Sequence, residues 1–349
     1  METTTTEIPF PAEGIYLHMP EATYHAIPAF SKSLIKQFRI SDIDAWESLY
    51  GTEDNSTVDK IYGSALHCLF LEGREAFESR YCKAFSKADH PDALDTVDDL
   101  KTFLDSNGST YPKSASKGSL IHIVQTLAPD APILDAIKAE HRLACAGKTE
   151  IPAAMFDEIV ARDRFQGAAF LADKQATEIS LFWIDDHFHI PCKARIDSIS
   201  FRKTAAGMIG HVGDIKTFTN TREKPIAKCV ADEVGWRSYH IDGVFYTRAL
   251  KATPKIFHDA EGVNWPDFTD TAFELLFIEK GKVHPNVLPR ELVVRQFGNL
   301  TELGNAAMGA IQDAANRYRD LHAEHGKRPW NRPHPLEFIT EADVPLHLL

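Results

Sequence analysis

The sequence predicts a mixed α/β protein, and three observations predict it. Helical periods dominate up to about residue 172, three strand-like runs follow one another from Thr177, and the remainder alternates helix, two strands and helix. With 349 residues, 44% of them hydrophobic, the chain can bury a sizeable core. We read a tail and entry segment over residues 1–30, one domain over 31–325 and a C-terminal tail over 326–349.

The first helix starts at Ser31, an N-cap serine ahead of the apolar period in Leu34, Ile35 and Phe38. A second runs from Tyr62 to about Tyr81. Residues 88–118 are rich in Asp, Ser, Gly, Lys and Pro and read as a polar insertion or surface lobe. Helical patterns resume over 119–127, 131–145 and 151–172. Strands are expected at Glu178–Trp183, His187–Phe201 and Met208–Phe218, then a helix from Pro225 to Ala249 with proline in its first turn. Phe273–Glu279 and Glu291–Phe297 read as later strands, and Leu300–His325 as a closing helix.

The second and third strands carry the chemistry. Between them, Arg202 to Gly207 is polar and ends in glycine, which predicts a hairpin. A turn centred between Ala205 and Ala206 sets Asp197 opposite Asp214, and Lys216 shares Asp214's face by the period of two. Two facing carboxylates repel unless a cation lies between them, and hard oxygen donors suit Mg²⁺ or Mn²⁺. Two carboxylates, a divalent ion and an ammonium are what phosphodiester hydrolysis requires.

Other residues read two ways. His67, in the apolar run Gly63–Glu72, fits a core or boundary position, or an imidazole reaching a metal or phosphate. Glu178 is a supporting carboxylate or a strand-end charge. Tyr239, Asp242 and Tyr246 share a helical face, which suits packing with wet phenol tips or contact with phosphate. Arg222, Lys224 and Lys228 form a solvated face or contact phosphate at a helix start.

Composition narrows the classes. Acidic side chains outnumber basic ones by 50 to 38, for a formal net charge of -12, which argues against nonspecific coating of nucleic acid. The histidines form no H-E-x-x-H pattern, which argues against a zinc hydrolase. The five cysteines are scattered without a C-x-x-C pair and suggest reduced thiols in a cytoplasm. No signal peptide or membrane span is read from the sequence.

Together, Tyr24-His25 to Ser33-Leu34, Gly63-Ser64-Ala65-Leu66-His67 with Leu71-Glu72-Gly73, Glu178 to Trp183, Cys192 to Asp197, Asp214-Ile215-Lys216-Thr217 and Tyr239-His240 to Tyr246 resemble the RecE-like exonucleases of phages and prophages. These belong to the PD-(D/E)xK nuclease superfamily, and the resemblance spans roughly Tyr24 to Phe297. It implies a restriction-endonuclease-like core with a mixed central sheet flanked by helices and helical N-terminal additions. It also implies a metal site from His67, Asp197, Asp214 and the carbonyl of Ile215, with Lys216 beside the attacking water and Glu178, Arg195, Tyr239, Asp242 and Tyr246 supporting the site or contacting DNA. The activity implied is Mg²⁺-dependent degradation of linear duplex DNA, 5′ to 3′, in phage-type recombination inside a bacterial cytoplasm. The partners implied are DNA ends, a single-strand annealing protein and further copies in a ring. Asp242 departs from the glutamine usual in the tyrosine-bearing helix, which keeps open an end-binding protein with impaired catalysis. A repair or endonuclease of the same superfamily is a further alternative.

Overall fold

A two-residue turn, Ala205-Ala206, followed by Gly207, joins the two longest strands, and this hairpin is the centre of the fold. The computed structural model describes residues 9–51, 58–162, 173–220, 224–281, 291–295 and 302–330. In chain order the strands are β1 (Gly14–Tyr16), β2 (Tyr81–Lys83), β3 (Thr149–Ile151), β4 (Ala176–Ile184), β5 (Pro191–Thr204), β6 (Gly207–Phe218), β7 (Asp270–Glu279) and β8 (Glu291–Arg295). The α-helices are α1 (Glu21–Ala26), α2 (Lys32–Phe38), α3 (Asp42–Tyr50), α4 (Val58–His67), α5 (Arg74–Arg80), α6 (Val97–Ser106), α7 (Lys117–Leu127), α8 (Leu134–Ala144), α9 (Ala153–Arg162), α10 (Ile226–Trp236), α11 (Tyr239–Ala252) and α12 (Glu302–His325).

The chain divides into two units, one of residues 1–55, 167–280 and 290–349, the other of 56–166 and 281–289. The first unit holds a six-stranded sheet in the order β1-β4-β5-β6-β7-β8. Its neighbours are antiparallel except β6 and β7, which are parallel and need a long crossover. α10 and α11 supply that crossover. β4 buries both faces: Ile179, Leu181 and Trp183 join the main core, while Phe182 packs with Tyr24, Ile27 and Ala29 on the other side. α11 lies close on the sheet because Gly243 leaves room for it; a Cβ there would come within 2.7 Å of the Phe273 ring.

Several expectations change in this unit. The entry segment over 1–30 contributes β1, whose three residues pair with β4, and the short helix α1. The helix expected over 225–249 is two helices, because Ser238 takes a left-handed φ of 54° between α10 and α11. Its apolar period continues across the break, which hides the corner from a periodicity argument. The start of the strand expected at His187 is a turn in which the Asp185 carboxylate accepts from the His187 and Phe188 backbone N–H groups.

In the second unit, the helix expected over 62–81 splits into α4, a π-helical turn at Cys68–Glu72, and α5, with Gly73 at φ 95° between them. Tyr62 of α4 and Arg162 of α9 both donate to the Glu158 carboxylate, at 2.6 and 2.7 Å. The segment 88–118 contains α6, started by a capping box between Thr96 and Asp99. Leu100 and Leu104 of α6 meet Leu120 and Val124 of α7 and Ile133 in a small core. β2 and β3 form a parallel pair. The part of the helix expected beyond Arg162, and residues 296–297 of the last expected strand, lie outside the described residues.

Candidate active site

The hairpin register is the one the turn dictates: β5 and β6 pair from Thr204 with Gly207 through Ser198 with Gly213. One step further along both strands, Asp197 stands abreast of Asp214. There the ladder gives way to a side-chain contact, in which the Ile215 backbone N–H donates to Asp197 Oδ2 at 2.7 Å. On the other side of β5, Thr177 pairs with Ser198 and Ile179 with Ile196, which sets Glu178 abreast of Asp197. Glu178 is held at φ 54°, a conformation that costs a non-glycine residue about 1 kcal/mol or more and recurs at functional sites. Each of these two carboxylates presents an oxygen within 4.8 Å of the other. Arg195 donates to Glu178 Oε2 at 2.8 Å, to Ser180 Oγ and to the Met19 carbonyl, so its guanidinium fixes Glu178 in place.

Asp214 is fully buried and faces two ammonium groups. Lys216 Nζ lies 2.5 Å from Oδ2, and Lys32 Nζ lies 3.6 Å from Oδ1. Asp242, 1% exposed, stands across from them on α11, with Lys36 Nζ at 2.6 Å and Lys32 Nζ at 3.5 Å. Tyr246 and Tyr239 supply aromatic walls: Lys32 sits over the first at 4.4 Å, and Lys36 and Lys216 over the second at 4.9 and 5.5 Å. Tyr239, Asp242 and Tyr246 thus share the face of α11 that their spacing predicts.

Electrostatics follow from burial and these contacts. Burial alone would pull the Lys32 and Lys216 ammonium groups down. Asp214, with Asp242 and Asp197, overcomes it and holds both above the ordinary lysine value. Burial prevails at Lys36, which is lowered despite Asp242, because Lys32 and Lys216 also repel it. Burial, then the Asp214 and Asp197 charges, raise the Tyr246 phenol well above its usual range, so it stays a neutral donor. Lys216 is a protonated donor in this arrangement, suited to holding a water or a phosphoryl oxygen.

Glu178 and Asp197 are hard oxygen donors within 4.8 Å of each other, with Asp214 on the next strand, and such donors fit Mg²⁺ or Mn²⁺ and do not favour a soft metal. His67 ends α4 in the second unit, half-buried. Lys224 pairs with Asp232 at 2.7 Å, Lys228 is exposed, and Arg222 lies outside the described residues. Lys32 and Lys36 have no part in the site expected from sequence. Their signal is two lysines four residues apart on a helix whose other face, Leu34, Ile35 and Phe38, is buried.

No protein-family model and no curated protein matches the chain. Among solved structures, it is similar to the crystal structure of a protein named "Putative exonuclease" from Eubacterium rectale, at 13% identity and a TM-score of 0.46, over 89% of this chain and 88% of that one. Among the described residues no helix is long and apolar enough to cross a membrane.

Proposed function

We propose that the protein is a metal-assisted nuclease that hydrolyses phosphodiester bonds of linear double-stranded DNA. The observation that carries this reading is the convergence of Glu178, Asp197, Asp214 and Lys216 on three adjacent strands. Glu178, Asp197 and Asp214 would hold Mg²⁺ or Mn²⁺, and the RecE-like resemblance adds His67 and the Ile215 carbonyl as ligands. When bound, the ion polarises the phosphodiester and lowers the pKa of a bound water. Lys216, protonated, donates to the water or to the phosphoryl oxygen where charge develops, and the Tyr246 hydroxyl, whose ring lies under Lys32, is a further donor and is neutral. Ile215 N–H fixes the Asp197 carboxylate, and Arg195 fixes that of Glu178, so neither reorganises during reaction.

Asp242, the departure from the usual glutamine, argues less for impaired catalysis once Lys36 and Lys32 are seen to balance its charge. The 5′ to 3′ polarity, the PD-(D/E)xK assignment, the ring and the annealing partner are proposed on the resemblance. Cleavage of linear duplexes labelled separately at the 5′ and 3′ ends, with closed circular DNA as the comparison, tests the reading. Mg²⁺-dependent loss of the 5′ label, abolished by EDTA and by Lys216→Ala, is expected; equal cleavage by wild type and Lys216→Ala would sink it.

A further inference from the structure

We infer that Asp242 is a positioning residue and not a metal ligand: it is the fixed counter-ion that holds Lys32 and Lys36 in the site, with Lys32 serving as a second phosphate-binding cation beside Asp214. The inference rests on the nuclease reading for the identity of the anion that Lys32 receives. Lys32 and Lys36, one turn apart on α2, both turn toward Asp242, which is 1% exposed. A carboxylate so buried needs charged partners, and it has two ammonium groups within 3.5 Å. Lys32 also reaches Asp214 at 3.6 Å, so α2 bridges the α11 carboxylate to the hairpin.

The charge count gives this arrangement a purpose. Lys32, Lys36 and Lys216 face Asp197, Asp214 and Asp242, three cations against three anions, while Glu178 is matched by Arg195. Among these described residues the charges balance. A divalent ion on Glu178, Asp197 and Asp214 would make the site positive, and the substrate phosphate is the complementary anion. Asp242 keeps that excess from growing further. With asparagine at 242, as with a neutral glutamine, the site would carry one uncompensated positive charge, Lys32 still facing Asp214, and would hold DNA more tightly in the ground state.

The test compares the full-length wild type with Asp242→Asn, Lys36→Met and the double variant. In calorimetric Mn²⁺ titration, Asp242→Asn keeps the number of ions bound and their affinity; loss of an ion, or affinity weaker by about tenfold or more, makes Asp242 a ligand and overturns the inference. In EDTA, a blunt-ended duplex binds Asp242→Asn more tightly, and its log affinity falls more steeply with log salt, by about 1 for the one net positive charge freed. An unchanged slope removes Lys32 and Lys36 from phosphate contact. With Mg²⁺, KM and kcat both fall in Asp242→Asn, as tighter ground-state binding requires. In thermal unfolding, Lys36→Met added to Asp242→Asn restores part of the lost stability, whereas strictly additive losses refute the counter-ion. If the wild type neither binds Mn²⁺ nor cleaves DNA, the nuclease reading falls, and the unfolding cycle still decides whether Asp242 is the counter-ion.

Discussion

Two lysines on neighbouring strands are both nearly removed from water, and the protein treats them in opposite ways. Lys216, on β6, meets the Asp214 carboxylate, and its ammonium is held above the ordinary value. Among the described residues, Lys193, near the start of β5, meets no carboxylate. Its ammonium donates to the backbone carbonyls of Tyr24, His25 and Ile27 at 3.0, 3.3 and 2.6 Å, and lies over the Tyr24 ring. Burial pushes it down to about 8. A cation in a cage of carbonyls closes the C-terminal end of α1 and ties the entry segment to β5, which is structural work. A cation against a carboxylate beside other carboxylates is a group arranged for chemistry. Burial alone does not distinguish the two; the partner does.

Substituting each lysine breaks the comparison most sharply. Lys216→Ala is expected to lower the cleavage rate by about 10²–10⁴-fold, the range for removing a positioned proton donor or charge stabiliser. Lys193→Met is expected to leave kcat within a few-fold of wild type. Single-turnover cleavage of a labelled duplex reads both. A Lys193→Met protein that folds normally yet loses as much activity as Lys216→Ala would erase the distinction.

Glu178 extends the contrast to carboxylates. Glu178→Gln removes a donor whose partner across the ladder is Asp197, and it leaves Arg195 without its ion pair. Mn²⁺ affinity should fall by about 10–100-fold, read by calorimetry. Asp185, a buried carboxylate that is likewise paired with an arginine, is the control. It anchors the β4–β5 turn through Arg248 and two backbone N–H groups, and Asp185→Asn should cost stability without moving metal affinity.

How much of this was legible in the sequence depends on the range of the interaction. The β4, β5 and β6 strands and the hairpin register follow from alternation and from a polar turn ending in Gly207, all local signals. α6 also has a local signal, the Thr96 and Asp99 capping box, but the acidic and polar composition around it conceals a short stripe of Val97, Leu100, Phe103 and Leu104. β1 is too short, at three residues, for any period to show. The left-handed Ser238 is set by the corner it must turn and by the Arg39 side chain that donates to its hydroxyl, neither of which is a propensity of the segment. Lys32 and Lys36 are the clearest case. The helix that carries them was legible from Ser31 onward, but their role depends on Asp214 and Asp242, which only the folded chain brings to them.

The smallest expected effect is the most direct measure of the two lysines' difference. An unfolded lysine titrates near 10.5, while folded Lys193 titrates near 8. Below about pH 8 both states hold the proton and the burial cost is constant. Between about 8 and 10.5 the unfolded chain holds a proton that the folded chain has released, so stability climbs with pH. Lys193→Met removes that climb, together with about 1–3 kcal/mol for withdrawing the ammonium donor from these carbonyls. Lys216 has the opposite sign: its folded value lies above 10.5, so its contribution is fully present below that pH and adds no slope under it. The window closes near pH 10, where unfolded Tyr24 begins to ionise while the buried phenol keeps its proton and stability falls. Chemical denaturation at intervals from pH 7.5 to 9.5 should therefore give a rising stability in wild type and in Lys216→Ala and a flatter one in Lys193→Met. Equal slopes in all three proteins would mean that the carbonyl cage fully compensates the burial of Lys193, making the two sites alike in energy and different only in what they face.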